Sequence, residues 1–501
     1  MAFGSVAKQA PLGERAVTAA LHLTRPRTLL WLATTAFAGG FAALALMQHR
    51  AFSTGRFDVG NLTQAVWSTA HGRLLEMTDL HGRQFNRLGA HFDPIVAALA
   101  PLWWLWPDPS VLLVVQSAAV ALGAPAVFLL ARKHLGSEWA GLGAALIYLL
   151  YPATQWLVLD DFHPVAFATP LLLWAIWFLD EDRLLAFALV AGVACTTKEQ
   201  LGLLIAALGA WYAVARGRRG AGILVAVAGV GAACFALAVV DRYAPGGGSP
   251  FASRYEAVGD TPGGIAQTAI AHPLLVLEEA FSGRDLSYLG DLLLPLAALP
   301  LLAPLLALTA LPELALNLLS SARTQTSIHF HYTAAAIPGL VTATVLGAAR
   351  IRKRWPSHFP AVARLAVVVV LVSGVVLGPL PLWRHVPFGA TLATADHLAD
   401  AHDAAAMHAL ATIPRDAPVS ATNTLGAHLS ERRRIFSFPT LAEATWVAVD
   451  TTRPSYLDRA VAPRAFADAL RRLEMDRRWH LVVSEDGVLV FRRDEARAQD
   501  E

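Results

Sequence analysis

Charge is the scarcest thing in this chain. Only 16% of its 501 residues are Asp, Glu, Lys or Arg, and 55% are hydrophobic, whereas soluble globular proteins carry roughly 25% charged residues. That shortage excludes an ordinary water-soluble core inside a charged shell and makes lipid the solvent of much of the molecule. Cysteine is nearly missing: Cys195 and Cys234 are the only two. Both lie inside apolar runs, which excludes a disulfide framework or a cysteine metal knuckle, and both read as small core residues. The formal net charge is only +2 and the charges are segregated along the chain, so no nucleic-acid partner is expected. Internal repeats and low-complexity tracts are not evident.

Long apolar runs are abundant: Leu29–Met47, Val111–Ala131, Ala221–Val240, Leu292–Leu311 and Leu365–Leu380 each approach the roughly 20 residues that cross a bilayer. Lys8, Arg15, Arg25 and Arg27 precede the first run, which is too long for a signal-peptide core and has no cleavage site before His49. It reads as an uncleaved first span. Basic clusters at Arg25/Arg27, Arg132/Lys133, Arg183, Arg216/Arg218/Arg219 and Arg350–Arg354 mark the cytoplasmic side. The segments between them are then excursions through the membrane and back: Leu29–Met47 with Val111–Ala131, Glu138–Val158 with Val165–Leu179, and Leu184–Thr196 with Leu201–Ala215. Ala221–Val240 leaves again, three crossings (Gly290–Leu302, Ala303–Leu319, Tyr332–Gly347) return, and Leu365–Leu380 is the last. The expected fold is a polytopic α-helical membrane protein of about 11 spans with a small C-terminal α/β soluble domain. Residues 1–28 form a cytoplasmic arm, 29–382 the membrane domain with a long first outer loop over 48–108, and 383–501 an extracytoplasmic domain.

In that last domain His397–Ile413 and Pro463–Met475 read as helices and Pro418–Thr422, Arg434–Phe438 and Thr445–Val449 as strands. His480–Ser484 and Val488–Arg492 read as a hairpin turning at Glu485-Asp486-Gly487. In the first outer loop, Trp103, Trp104 and Trp106 are expected at headgroup level. Gly246-Gly247-Gly248 is a hinge candidate. The Ala/Arg-rich usage fits a bacterium, and the location is its plasma membrane.

The ionisable residues at span ends fall on one side. Asp58, Gln64, His91 and Asp93 lie in the first outer loop, Asp160, Asp161 and His163 in the second, and Lys198 with Glu199 in the third. Arg323, His329, His331 and Tyr332 precede an inward span. Ionisable groups at membrane depth are expensive and tend to be functional. Each has a plainer reading too. Asp58 is placed to cap the helix over Leu62–Ala70, Asp161 to cap the turn at Pro164, and Lys198-Glu199 to form a self-contained ion pair. The functional alternative gives Asp160, Asp161, His163 and Glu199 a divalent cation, magnesium or manganese. Lys198 then takes a lipid-linked phosphate, helped by Arg323, His331 and Tyr332.

Phe57-Asp58-Val59-Gly60 with Gln64 and Trp67, His91-Phe92-Asp93-Pro94, Gln116, Phe162-His163-Pro164, Lys198-Glu199 and Leu311-Pro312-Glu313 with Asn317 resemble, in that order, the membrane family known as domain of unknown function 2079. The similarity runs from about residue 50 to about residue 450. More distantly, the chain resembles the GT-C superfamily of multispanning glycosyltransferases, which use polyprenyl-phosphate sugars and carry an acidic residue in the first outer loop. By that resemblance Asp58 stands at the catalytic acidic position and Asp160/Asp161 at a second acidic motif. The chain departs from the pattern in having Phe57 and Val59, not a second acid, beside Asp58. The resemblance implies inverting transfer of a sugar from a polyprenyl-phosphate donor to an envelope glycan, lipid or protein acceptor. The rivals are a lipid or solute transporter or flippase, which would place its ionisable residues near the midplane, and a non-catalytic envelope assembly protein.

Overall fold

Pro26 opens α1 (Pro26–Arg50), where its missing N–H costs nothing and its fixed φ favours the first helical turn. The computed structural model describes residues 25–246, 251–389, 398–460 and 463–494. The arm before residue 25, the rest of the glycine hinge and His397 lie outside the described residues. After α1 the chain forms a π-helical turn (Arg56–Gly60) leading into α2 (Asn61–Ala70). A hairpin follows, β1 (Glu76–Thr78) against β2 (Gln84–Asn86), and then the apolar segment 94–105, ending in α3 (Ala100–Leu105). Trp104 and Trp106 are exposed as expected, but Trp103 is buried in the core, because the helix turns it inward against α2.

The membrane body continues with α4 (Ser110–Ala121), α5 (Ala124–Leu135), α6 (Glu138–Leu150), α7 (Pro152–Leu159), α8 (Ala168–Asp180), α9 (Leu184–Cys195), α10 (Leu201–Ala215) and α11 (Arg219–Tyr243). Pro152 cannot donate to the preceding turn, and the chain bends by 48° between α6 and α7. That bend delivers Asp160 to the end of α7. Helices α10 and α11 touch closely through glycines at seven-residue spacing, Gly202 and Gly209 facing Gly229 and Gly222. A Cβ on Gly209 would sit 2.7 Å from the Gly222 oxygen. Small residues let helices in lipid approach this closely and gain dispersion contact. The outer face of α11 stays apolar and exposed, including Cys234, which therefore faces outward and is not a core residue; both cysteines are free.

Between residues 252 and 354 lie α12 (Pro262–Ala271), α13 (Pro273–Ala280), α14 (Gly283–Leu293), α15 (Pro304–Ala307), α16 (Leu311–Leu318) and α17 (Ile337–Arg354), followed by α18 (Phe359–Leu377). Ala297 and Ala298 adopt left-handed φ between two short 3₁₀ turns, so Gly290–Leu302 is not one continuous span. Among the described residues four helical stretches are long and apolar enough to cross a membrane: Pro26–Arg50, Ser110–Leu135, Arg219–Tyr243 and Phe359–Leu377. The bent pair α6–α7 makes a fifth. The other expected crossings are shorter apolar helices or, in α17, a helix with a basic end. Proline at positions 164, 304 and 312 restarts the chain before a full span is complete.

The basic clusters meet at one end of the bundle. Arg27 pairs with Glu138 (2.6 Å), Lys133 with Asp180 (2.6 Å), and Arg218 with Asp182 (2.5 Å), while Arg216 donates to the Asp180 oxygen at 2.9 Å. The opposite end carries the first loop and the C-terminal domain.

That domain is a five-stranded mixed sheet with helices: α19 (Ala401–Leu410), β3 (Val419–Ala421), α20 (Asn423–Ala427), β4 (Ile435–Ser437), β5 (Trp446–Asp450), α21 (Tyr456–Ala460), α22 (Pro463–Met475), β6 (Trp479–Glu485) and β7 (Val488–Arg493). The order is β4-β3-β5-β7-β6, parallel across β4, β3 and β5 and antiparallel across β5, β7 and β6. Buried His402 spans the domain, one ring nitrogen 3.0 Å from Asp450 and the other 3.0 Å from Asp486. Both nitrogens donate only in the imidazolium form. Burial disfavours that charge, but Asp450 and Asp486 outweigh it and raise the pKa above 6.5. The stabilisation is full below the unfolded-state pKa and is lost as pH rises through the raised one. The thermal midpoint of the purified protein should fall between pH 6 and pH 9, and His402→Gln should remove that component of the pH dependence.

Candidate active site

The π-helical turn that carries Asp58 is closed by Gly60 N–H donating to the Gly55 oxygen at 3.1 Å. Such turns are rare and concentrate at functional sites. Asp58 caps nothing, because α2 begins without a side-chain cap. Asp161, at φ +50°, does not cap the Pro164 turn either; its Oδ2 accepts Gly55 N–H at 3.0 Å. Gln116 fixes the second loop from below. Its Nε2 donates to the Asp161 carbonyl at 2.6 Å and its Oε1 accepts His163 N–H at 2.8 Å.

Asp58 opens onto a cavity of about 510 Å³. One wall is the β1–β2 hairpin, with His81, Arg83 and Phe85; another is Arg87, His91 and Asp93. His163, Lys198, Phe251, Arg254, His331 and Tyr332 complete it. Asp93 is held by Arg87 through a two-pronged contact at 2.6–3.1 Å, so this acid is neutralised where it stands. Glu199 accepts from His91 Nδ1 at 3.0 Å and Phe92 N–H at 3.1 Å. The expected Lys198–Glu199 ion pair is not formed.

Lys198 Nζ lies 5.5 Å from the centre of the Tyr332 ring, within cation–π range. Arg254 also approaches this tyrosine and donates to its hydroxyl at 3.3 Å and to Gln325 Oε1 at 3.2 Å. Neither cation has a carboxylate within 4 Å among the described residues. Asn317 Nδ2 donates to the Tyr332 carbonyl at 2.8 Å and so fixes the backbone that carries the ring.

Asp160 Oδ2 accepts from His331 twice, from the backbone at 2.6 Å and from Nδ1 at 2.9 Å, and lies 3.6 Å from His163 Nε2. The two imidazoles stack with centroids 3.5 Å apart, and His163 Nε2 is 3.9 Å from Asp58 Oδ1. Asp58 keeps 45% of its side-chain surface open, but that opening is into the cavity. Burial, with Asp160 adding to it and Arg87 and Lys198 opposing, pushes its carboxyl up to about 7. Burial also opposes charge on Glu199, yet His91 and Lys198 outweigh it and hold that carboxyl at about 2.

The expected residues divide accordingly. Asp58, His91, Asp93, His163, Lys198, His331 and Tyr332 share the cavity wall. Arg323 is exposed and does not line it, because its loop turns outward beyond Ala322. His329 packs edge-on against Trp156 and also stays off the wall. Gln64 is buried and donates to the Arg432 and Arg433 carbonyls, which makes it a bridge to the C-terminal domain. Asp161 and Glu199 are committed to backbone N–H groups, so the expected cation set Asp160, Asp161, His163 and Glu199 is not assembled. Arg254, Arg87 and the hairpin escaped sequence reasoning. Arg254 had one visible signal, its place beside Phe251 and Tyr255 in a long outer loop.

The fold, a helical membrane body followed by a sheet-containing C-terminal domain, is similar to that of ArnT. ArnT from Cupriavidus metallidurans in the apo state aligns with a TM-score of 0.50 at 13% identity, covering 92% of this chain and 98% of that one. The same protein bound to undecaprenyl phosphate gives 0.49 at 14% identity, covering 92% and 99%. The chain itself belongs to the DUF2079 family of predicted membrane proteins, whose model matches residues 48–490. No curated protein matches the sequence.

Proposed function

We propose that the chain is an inverting glycosyltransferase that moves a sugar from a polyprenyl-phosphate donor to an envelope acceptor on the non-cytoplasmic side of the bacterial plasma membrane. The observation that carries this reading is the pairing, in one cavity, of an open carboxylate, Asp58, with two cations that have no carboxylate within 4 Å among the described residues, Lys198 and Arg254, both close to Tyr332. A phosphate is the natural occupant of that cationic corner. The GT-C resemblance of the sequence and the ArnT-like fold support the same reading.

In this mechanism Asp58 takes the proton of an acceptor hydroxyl as its oxygen bonds to the anomeric carbon. The bond from that carbon to the phosphate oxygen breaks with inversion, and the electron pair leaves on the polyprenyl phosphate. Lys198 and Arg254 stabilise the charge that grows there. The exposed apolar segment 94–105 beside the cavity offers the tail a route in from the bilayer. A transporter reading gains no support from the placement of the ionisable groups, which cluster at one end of the bundle.

Polyprenyl phosphate binding to the purified protein tests this assignment. Lys198→Ala and Arg254→Ala should each weaken binding by roughly 10-fold or more, since a hydrogen bond to a charged group contributes about 1.5–3 kcal/mol. Arg323→Ala should leave binding unchanged. Equal binding by wild type and a Lys198→Ala/Arg254→Ala double variant would overturn the phosphate corner.

A further inference from the structure

Asp160, His163 and His331 are the one cluster of three among the described residues whose side chains bring potential metal-ligand atoms together, all within 4.8 Å of one another. We propose that these three residues form a binding site for a transition-metal dication of the zinc class, with its open coordination positions facing the cavity.

The chemistry of the donors decides the metal. Magnesium favours oxygen ligands and keeps much of its water, whereas two imidazoles and one carboxylate suit zinc and its neighbours. The expected magnesium or manganese set was Asp160, Asp161, His163 and Glu199; the structure brings His331, from 171 residues farther along the chain than Asp160, to Asp160 and His163 in place of Asp161 and Glu199. The spacing is near that of such a site. Ligand atoms about 2.0–2.1 Å from a tetrahedral zinc lie about 3.3–3.4 Å from one another. Asp160 Oδ2 is 2.9 Å from His331 Nδ1 and 3.6 Å from His163 Nε2, and all three donors lie within 4.8 Å of one another, so seating the ion needs the two stacked imidazole rings to turn toward it.

The frame around the donors is prebuilt. Gln116 Oε1 accepts His163 N–H at 2.8 Å, and His331 N–H is fixed on Asp160 itself at 2.6 Å. Both bonds hold backbone N–H groups and so fix where each histidine side chain starts. The ligands are largely buried, with side-chain exposures of 17%, 9% and 12% for Asp160, His163 and His331. Both histidines line the cavity and Asp160 does not. A metal bound there is closed behind by protein and open in front, where water or an anionic oxygen completes its shell. A role for the ion in holding the donor phosphate rests on the proposed glycosyl transfer; the site itself does not.

The test uses tag-free full-length protein in detergent, stripped with chelator, reloaded with zinc and passed over a desalting column. Elemental analysis should find one zinc per wild-type chain, and titration against a chromophoric chelator should give the affinity. Asp160→Asn and His331→Ala should each lower it by more than the roughly 10–100-fold expected for altering an outer-shell partner. Wild type that retains no more zinc than a His163→Ala/His331→Ala double variant overturns the proposal. Should that variant fail to fold, X-ray absorption on zinc-loaded wild type decides: two imidazole ligands support the site, and fewer than two overturn it. Because all of this is read without a sugar donor, zinc binding with no transferase activity would sink only the proposed function, and transferase activity in protein that retains no zinc after loading would sink only the metal site.

Discussion

Asp58→Asn should lower the rate of sugar transfer by roughly 10²–10⁴-fold, the usual contribution of a positioned general base, while polyprenyl phosphate still binds. The substitution keeps the shape of the side chain and removes only its ability to take a proton. With the Asp58 carboxyl pushed up to about 7 by burial and by Asp160, the basic form dominates only above that pH. In metal-stripped wild type, log(kcat/KM) should therefore climb with unit slope below about pH 7 and flatten above it. A carboxylate of ordinary pKa would give a flat profile from pH 5 upward. The Asn variant should lose that slope along with its rate, and a variant that retained full rate would remove Asp58 from the chemistry.

Arg56 should matter almost as much, through structure. Its guanidinium is fully buried and donates to Ser437 Oγ at 2.7 Å, to the Thr78 carbonyl at 3.0 Å and to the Ile435 carbonyl at 2.7 Å. One side chain thus ties the Asp58 turn to the hairpin and to β4 of the C-terminal domain. Gly60 and Gly426 pack against its stem: a Cβ on either would stand 3.3 or 3.0 Å from the Arg56 Cβ. Nearby, Phe57 N–H donates to Asn423 Oδ1 at 3.2 Å. Arg56→Ala strands buried acceptors at roughly 1–3 kcal/mol each, for a loss of about 3 kcal/mol or more. The thermal midpoint should fall sharply, and the C-terminal domain should become sensitive to protease as it undocks. Arg56→Lys should fall nearly as far, because one ammonium on a flexible stem does not reproduce the planar fork that meets three separate acceptors. A variant with unchanged midpoint would show that the domain docks by other contacts.

Much of the C-terminal domain was legible because its signals are local. Short runs between turn residues marked β3, β4 and β5, Glu485-Asp486-Gly487 marked the turn of the β6–β7 hairpin, and Pro463–Met475 was read as the helix that forms α22. Its strand order was not legible, since parallel pairing joins segments that no local pattern connects. In the membrane body the apolar runs located the helices, but length alone miscounted them. Proline and the left-handed pair Ala297-Ala298 divide runs that hydropathy reads as continuous.

The site followed the same division. The positions of Asp58, Asp160, His163 and Lys198 at span ends were visible because charge is rare there. What each carboxylate does was hidden, since it depends on partners far along the chain. Asp161 serves Gly55, Glu199 serves His91 and Phe92, and Asp93 serves Arg87. Among the described residues only Asp58 keeps an open face to the cavity without such a commitment. Arg254 displaced Arg323 as the second cation for an equally tertiary reason: Ser321 N–H donates to the Arg254 carbonyl at 2.8 Å, and this link sets the outer loop beside Tyr332.

The most direct test is transfer of label from a panel of polyprenyl-phosphate sugars by membranes containing wild type or Asp58→Asn. Label should pass from one donor to an envelope acceptor with wild type, release polyprenyl phosphate in equal amount, and stay on the donor with Asp58→Asn. Release at the same rate by both proteins, or no release from any donor in the panel, would contradict a glycosyltransferase driven by Asp58.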